Sequence, residues 1–316
     1  MNPGGRFFHG FGVHRGKSKE QGQINFSRFM SVREVERFGL GENKRDLCVV
    51  KKVKNPTHAM SDVEIFNKAP KHGYTETVPT MDINAFIQVV EGRRSVRVYD
   101  STPIPEEVMR ECLSLALLAP NSSNLQTWEF FWVRTPEKKA ELVKYCLGQP
   151  AAKTAQELVV AVARPDRWRE TNALMLAKFD DGRKERLKGP YQYYSKIIPL
   201  AYNMGPWGIY GPFKQLYVWF KGLFEPIPRG PFSLSGMSTW AHKSTALACE
   251  NFMLAMTAHG FDTCPMEGMD GNRIKKLLGL PNGAQVSMVI SCGKRAPEGV
   301  YGPRVRFKQD LFVKEV

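Results

Sequence analysis

The chain has 316 residues, 42% hydrophobic and 24% charged, which argues against wholesale disorder and leaves room for one large domain or two smaller ones. Its net charge of +14 fits an anionic partner, but no zinc-finger, RNP-type or basic-zipper pattern accompanies it, so no specific nucleic acid is expected. Scattered cysteines without a C-x-x-C and histidines without ligand spacing argue against a metal site and read as reduced thiols. With no secretory apolar region and no run of about 18 apolar residues, they make a cytoplasmic protein the expectation.

Residues 1–78 are polar and basic and carry only short apolar clusters such as Leu47–Val50, so they read as an extension with little core of its own. Residues 79–316 carry the regular patterning of a domain. Ile83, Phe86, Ile87 and Val90 recur at helical spacing before Gly92. A second helix is expected over 105–118, where Pro105, Glu106 and Glu107 open a stripe of Met109, Cys112, Leu113, Ala116 and Leu117. Residues 128–134 read as a strand, 136–147 as a helix and 158–163 as a buried strand.

Residues 165–238 break that rhythm. Aromatics interleave with Lys and Arg, and Gly189-Pro190, Gly205-Pro206, Gly211-Pro212 and Gly230-Pro231 punctuate the stretch. Three readings stay open for this insert: a helical hairpin packed on the body, a lid over an active site, or a patch at a membrane surface. Helical spacing returns over Trp240–His259, and Gly260 stops it. A loop is expected over 261–271, a short helix over 271–278 and a strand over 284–291. The closing LFVKEV alternates as a strand does.

Three stretches carry chemistry. Arg93, Arg94, Ser95 and Arg97 set three guanidiniums and a hydroxyl within five residues past a helix end, which suits a phosphate monoester. The stretch 119–128 (APNSSNLQTW) holds Ser122, Asn124 and Gln126, whose donors and acceptors match the edge of a heterocycle, beside Trp128. In Pro265-Met266-Glu267-Gly268, Pro265 fixes its own φ and Gly268 lets the main chain approach a ligand. Cys264 stands in an apolar setting with no His nearby in sequence, which argues against a nucleophile.

Taken together, RRSVRVYD, APNSSNLQTW, DTCPMEG and the C-terminal GPRVRF resemble the nitroreductase superfamily of FMN-dependent oxidoreductases, over about 81–163 and 238–316. The resemblance implies an α+β fold, a three-layer helix/sheet/helix sandwich in an intertwined homodimer with FMN at the interface, and a tail strand crossing to the partner. It implies that Arg93, Arg94, Ser95 and Arg97, with Arg304 and Arg306, grip the FMN phosphate. Ser122, Asn124 and Gln126 would line the isoalloxazine, Pro265, Met266, Glu267 and Gly268 would set N–H groups near flavin N5, and Gln149 would offer an amide. Asn121 and Thr127 depart from that loop's usual Ser and Pro.

The activity so implied passes hydride from NAD(P)H through flavin N5 to a small aromatic or quinone-like oxidant, with no side chain acting as general base. No G-x-G-x-x-G fingerprint marks a separate nucleotide domain. The same fold also hosts reductive dehalogenases, azoline dehydrogenases and flavin-fragmenting enzymes. A different class, a non-catalytic binder of anionic membrane or nucleic acid, draws on the charge and on the aromatic and basic insert, which would make the protein peripheral to a membrane.

Overall fold

The chain divides into two units, Met1–Ala59 and Met60–Val316. The computed structural model describes residues 76–180 and 188–316, all in the second unit. The expected extension lies outside the described residues for positions 1–75.

Four strands, β1 (Trp128–Val133), β2 (Glu157–Ala163), β3 (Asp262–Met266) and β4 (Gln285–Gly293), form one antiparallel sheet in the order β1-β2-β4-β3. Helices cover both faces. In β2 the side chains alternate, and period-2 geometry sends neighbours to opposite layers. Val159 and Ala161 join Met109, Cys112, Phe252 and Met256 from α2 (Glu106–Ala116) and α9 (Leu234–Ala258). Leu158, Val160 and Val162 join Leu142, Ala151 and Ile274 from α3 (Pro136–Tyr145), α4 (Pro150–Lys153) and α10 (Gly271–Leu278) on the other face. This is the three-layer sandwich expected from the sequence.

The central helix α9 buries Trp240, Ala241, Ser244, Ala248, Cys249, Phe252 and Met256, a stripe at helical spacing. It begins at Leu234, earlier than expected, because Ser233 caps it: the Ser233 hydroxyl accepts from Gly236 N at 3.0 Å. Helix α1 (Ile83–Gly92) lies against α9 with Ile83, Phe86, Ile87 and Val90 all exposed.

Two expectations need correction. Residues 262–266, read as loop, form β3. Pro265 fits there because β3 is the sheet's edge, where a missing N–H breaks no inner ladder. The LFVKEV tail forms no strand; after a short turn at Gln309–Leu311 it stays exposed. An alternating sequence makes a strand only where a neighbouring edge receives it.

The insert is helical: α5 (Trp168–Phe179), α6 (Lys188–Gln192), a π-helical turn (Tyr193–Ile197), α7 (Ile198–Tyr202) and α8 (Tyr210–Lys221). Trp168, Tyr194, Ile198 and Tyr202 pack on Trp240 and Ala241 of α9 and on Leu125. Its first half is therefore part of the body.

Candidate functional site

Arg93, Arg94, Ser95 and Arg97 line a cavity of about 310 Å³ together with Val300–Arg306, although some 200 residues separate the two segments. Past the end of α1 the chain is clamped to the sheet: Val96 N donates to Thr263 O at 3.1 Å, and Ser95 bridges Thr263 in parallel. Tyr99, buried, donates its hydroxyl to Ser291 O at 3.1 Å. From the other side Arg97 N donates to Gly299 O at 2.8 Å. Gly299 is required by this approach, since a Cβ there would stand 2.5 Å from Val98 O.

Arginine side chains close the cavity. Arg94 Nη2 donates to Gly302 O at 2.7 Å, and Arg304 Nη2 donates to Glu91 O at 2.5 Å and to Arg93 O at 2.7 Å. Arg306 donates to its neighbour Val305 O, and Arg97 lies over the Tyr301 ring. Among the described residues, only Arg93 of these five arginines has a carboxylate partner, Glu250 at 3.6 Å. Guanidiniums satisfied by carbonyls alone keep their charge uncompensated, so the chemistry of the cavity suits an anion.

At the end of β3, Met266 is buried while Glu267 and Gly268 are exposed. Gln149 Nε2 donates to Gly268 O at 2.7 Å and to Cys146 O at 3.0 Å, so its amide nitrogen braces this main chain. Cys264 is buried; burial raises its thiol pKa, and Arg97 and Arg93 oppose the shift only in part. A raised pKa disfavours the thiolate that a nucleophile needs. The five described cysteines are buried and unpaired.

The stretch 119–128 is a tight structure. Ser123, Asn124 and Gln126 have φ of 58°, 47° and 46°. Asn121 holds the turn, its Oδ1 accepting from Gln126 N at 2.8 Å, while Leu125 is fully buried. The Asn in place of Ser thus stiffens the loop. Thr127 is buried and its carbonyl accepts from Arg164 N at 2.9 Å, extending the β1–β2 ladder. Trp128 is buried and packs with Ala119 and Ala248 in the core.

Three tyrosines of the insert grip this loop, and sequence reasoning missed them. Ser123 Oγ lies 2.8 Å from Tyr193 OH and 3.1 Å from Tyr202 OH, Ser122 Oγ lies 3.3 Å from Tyr202 OH, and Tyr194 OH donates to Ser123 O at 2.9 Å. Burial raises the phenol pKa of Tyr193 and Tyr194, so both stay neutral hydrogen-bonding groups. Only the density of tyrosines in PYQYYSKIIPLAY hinted at them.

One chain does not bring all these residues together. Ser95 sits beside Thr263, paired to Cys292, whereas the loop enters β1 at Trp128, which reaches Gln285 through Ala163. Seven residues of β4 and three strand spacings separate the two levels, about 23 Å along the strands and about 14 Å across them. The arginine cradle meets β3 at Thr263, and Gln149 braces the chain past the strand's far end at Gly268. Ser122, Asn124 and Gln126 sit together in a separate loop.

The Nitroreductase family model matches residues 90–210 and 229–294. It takes in the first half of the insert, which lies outside the stretches that carry the resemblance in sequence, and leaves out 211–228. The chain is 31% identical over 220 residues to YdgI of Bacillus subtilis strain 168, named as an NAD(P)H nitroreductase, covering 68% of this chain and 91% of that protein. It is 26% identical over 226 residues to an NADH dehydrogenase of Thermus thermophilus, covering 71% and 91%. A nitroreductase of Exiguobacterium sibiricum 255-15, solved in complex with FMN, superposes with a TM-score of 0.53 at 24% identity, covering 76% of this chain and all of that one. The clamped arginine cradle, the three-layer sandwich and these matches agree: the chain belongs to the nitroreductase family.

Proposed function

We propose that the protein is an FMN-dependent oxidoreductase that works as a homodimer and takes electrons from NAD(P)H. The observation that carries this reading is the cavity where Arg94, Arg97 and Arg306, without carboxylate partners among the described residues, meet the Ser95 segment. Such a donor set fits the phosphate of a mononucleotide, which carries about −1.5 to −2 charges and three acceptor oxygens. When bound, FMN supplies two-electron chemistry between NAD(P)H and a small aromatic or quinone-type oxidant.

The chain's own residues then have separate tasks. Arg94, Ser95, Arg97 and Arg306 hold the phosphate. Arg304 ties the C-terminal segment to Glu91 and Arg93, and so positions the cradle. Gln149 fixes the main chain of 265–268, which borders the ring system. Ser122, Asn124 and Gln126 line the flavin edge from a second copy, because on one chain they stand farther from the cradle than FMN reaches.

The second copy has surfaces to meet. Phe86 and Val90 on α1 and Phe307 and Phe312 on the tail are exposed, so apolar area is available for a large obligate interface. The NAD(P)H-linked names of YdgI and of the Thermus protein, and the FMN of the Exiguobacterium structure, support the same reading.

The test is reconstitution with FMN followed by anaerobic titration with NADH and with NADPH. The purified protein should bind FMN and bleach with one nucleotide. Arg94→Ala and Arg306→Ala should each weaken FMN binding by about tenfold or more, as loss of a charge-assisted hydrogen bond does. A folded wild-type protein that stays colourless after reconstitution overturns the proposal.

A further inference from the structure

Helix α8 is turned inside out relative to the body that carries it. Its inward face is narrow: Gly211 and Val218 are its buried residues, and Lys214 also turns in, donating Nζ to Ala201 O at 3.0 Å. Gly211 allows this contact, since a Cβ there would stand 1.9 Å from Phe232 O. The outward face is apolar. Phe213, Leu216 and Phe220 follow one another at helical spacing and are 73%, 65% and 61% exposed, and Leu223 and Phe224 continue the stripe past the helix end. Tyr217 and Trp219 flank it, and Trp207, just before the helix, is almost wholly exposed.

The family fold does not call for this helix, since 211–228 lie outside the family match. Nor does it complete the core, because its large side chains point away from it. A contiguous aromatic face of this kind marks a surface for a partner.

Charge selects the partner. From Lys188 to Phe232 the sequence has five basic residues and a single acidic one, Glu225. With Lys214 turned inward, Lys221 on the helix and Arg229, whose Nη2 donates to Gly222 O at 3.2 Å, stand beside the apolar face, and Glu225 lies 2.8 Å from Lys221. Two copies meeting through this face in a symmetric pair would set these cations against their own copies. An anionic bilayer sets phosphates against them, and Trp and Tyr favour the headgroup level.

We infer that α8 is an interfacial helix that lies flat on an anionic lipid surface, inserting Phe213, Leu216, Trp219 and Phe220 between headgroups. Its 12 residues extend about 18 Å, too short to span. No helix among the described residues is long and apolar enough to cross a membrane. The inference stands apart from the flavin reading, since it uses none of the cradle residues.

The experiment is sedimentation of the full-length protein with phosphatidylcholine vesicles, with and without phosphatidylglycerol, at low and high salt, with tryptophan emission read in parallel. The protein should bind the phosphatidylglycerol vesicles with a blue shift, and salt should weaken binding. A Phe213→Ser/Leu216→Ser/Phe220→Ser variant, folded by circular dichroism, should bind at least about tenfold more weakly. A Lys221→Gln/Arg229→Gln variant should lose most of the preference for phosphatidylglycerol. Absence of vesicle binding by the wild type, or equal binding by the serine variant, overturns the inference. So does a serine variant that alters the solution mass of a wild type indifferent to vesicles, which assigns the face to another copy.

Discussion

Three non-glycine residues, Ser123, Asn124 and Gln126, hold left-handed backbone within four positions. Each such residue costs on the order of 1 kcal/mol or more, and persists only where its surroundings fix it. The fixing groups are the Asn121 amide below and the hydroxyls of Tyr193, Tyr194 and Tyr202 above. Tyr202 serves both Ser122 and Ser123, so Tyr202→Phe removes the bond of Ser122 and leaves Ser123 to Tyr193 alone. That variant should lose about 1–2 kcal/mol of unfolding free energy in urea melts. Because the same serines would border the flavin, it should also raise KM for the oxidant more than it changes FMN binding.

At the scale of elements, α8 carries a pH-sensitive anchor. Burial lowers the pKa of Lys214 from 10.5 to about 8. Below pH 8 the ammonium is charged in both folded and unfolded chains, and its desolvation opposes folding. Between pH 8 and 10.5 the folded state sheds the proton first, so stability rises with pH across that window. Thermal melts of wild type and Lys214→Met should show the variant ahead at neutral pH and the gap narrowing toward pH 10.5.

Elements with strong periodicity were legible from sequence: the stripe of α2 and the run of β2 both lie where their patterns put them. β3 was not, since a five-residue edge strand holding Pro265 and three polar or small neighbours has no alternation to read. The arginine cradle was legible because charge clustering survives in sequence. The tyrosine grip was not, because its partners lie 70 to 80 residues apart and hydroxyls carry no spacing signal.

At the scale of the whole molecule, the apolar faces fall into two groups with different surroundings. One comprises α1 and the C-terminal tail, both inside or beside the cradle segments that Arg304 staples together. The other is α8, with Lys221 and Arg229 beside it and most of its length outside the family match. In the proposed dimer the first group is covered by the second copy, while the second stays free to meet a lipid surface. Catalysis and localisation would then sit on separate parts of the fold, and the serine variant of α8 should keep its FMN.

The separation between the arginine cradle and the Ser122 loop has a genetic consequence. If each proposed site takes its cradle from one copy and its loop from the other, two differently damaged chains can rescue each other. An Arg94→Ala chain and a chain with Asn124 and Gln126 both changed to Ala should each be nearly inactive alone. After subunit exchange at equal amounts, half the dimers are mixed, and each mixed dimer assembles one intact site beside one doubly damaged site. The mixture should recover about a quarter of wild-type activity. Two chains both damaged in the cradle should recover none.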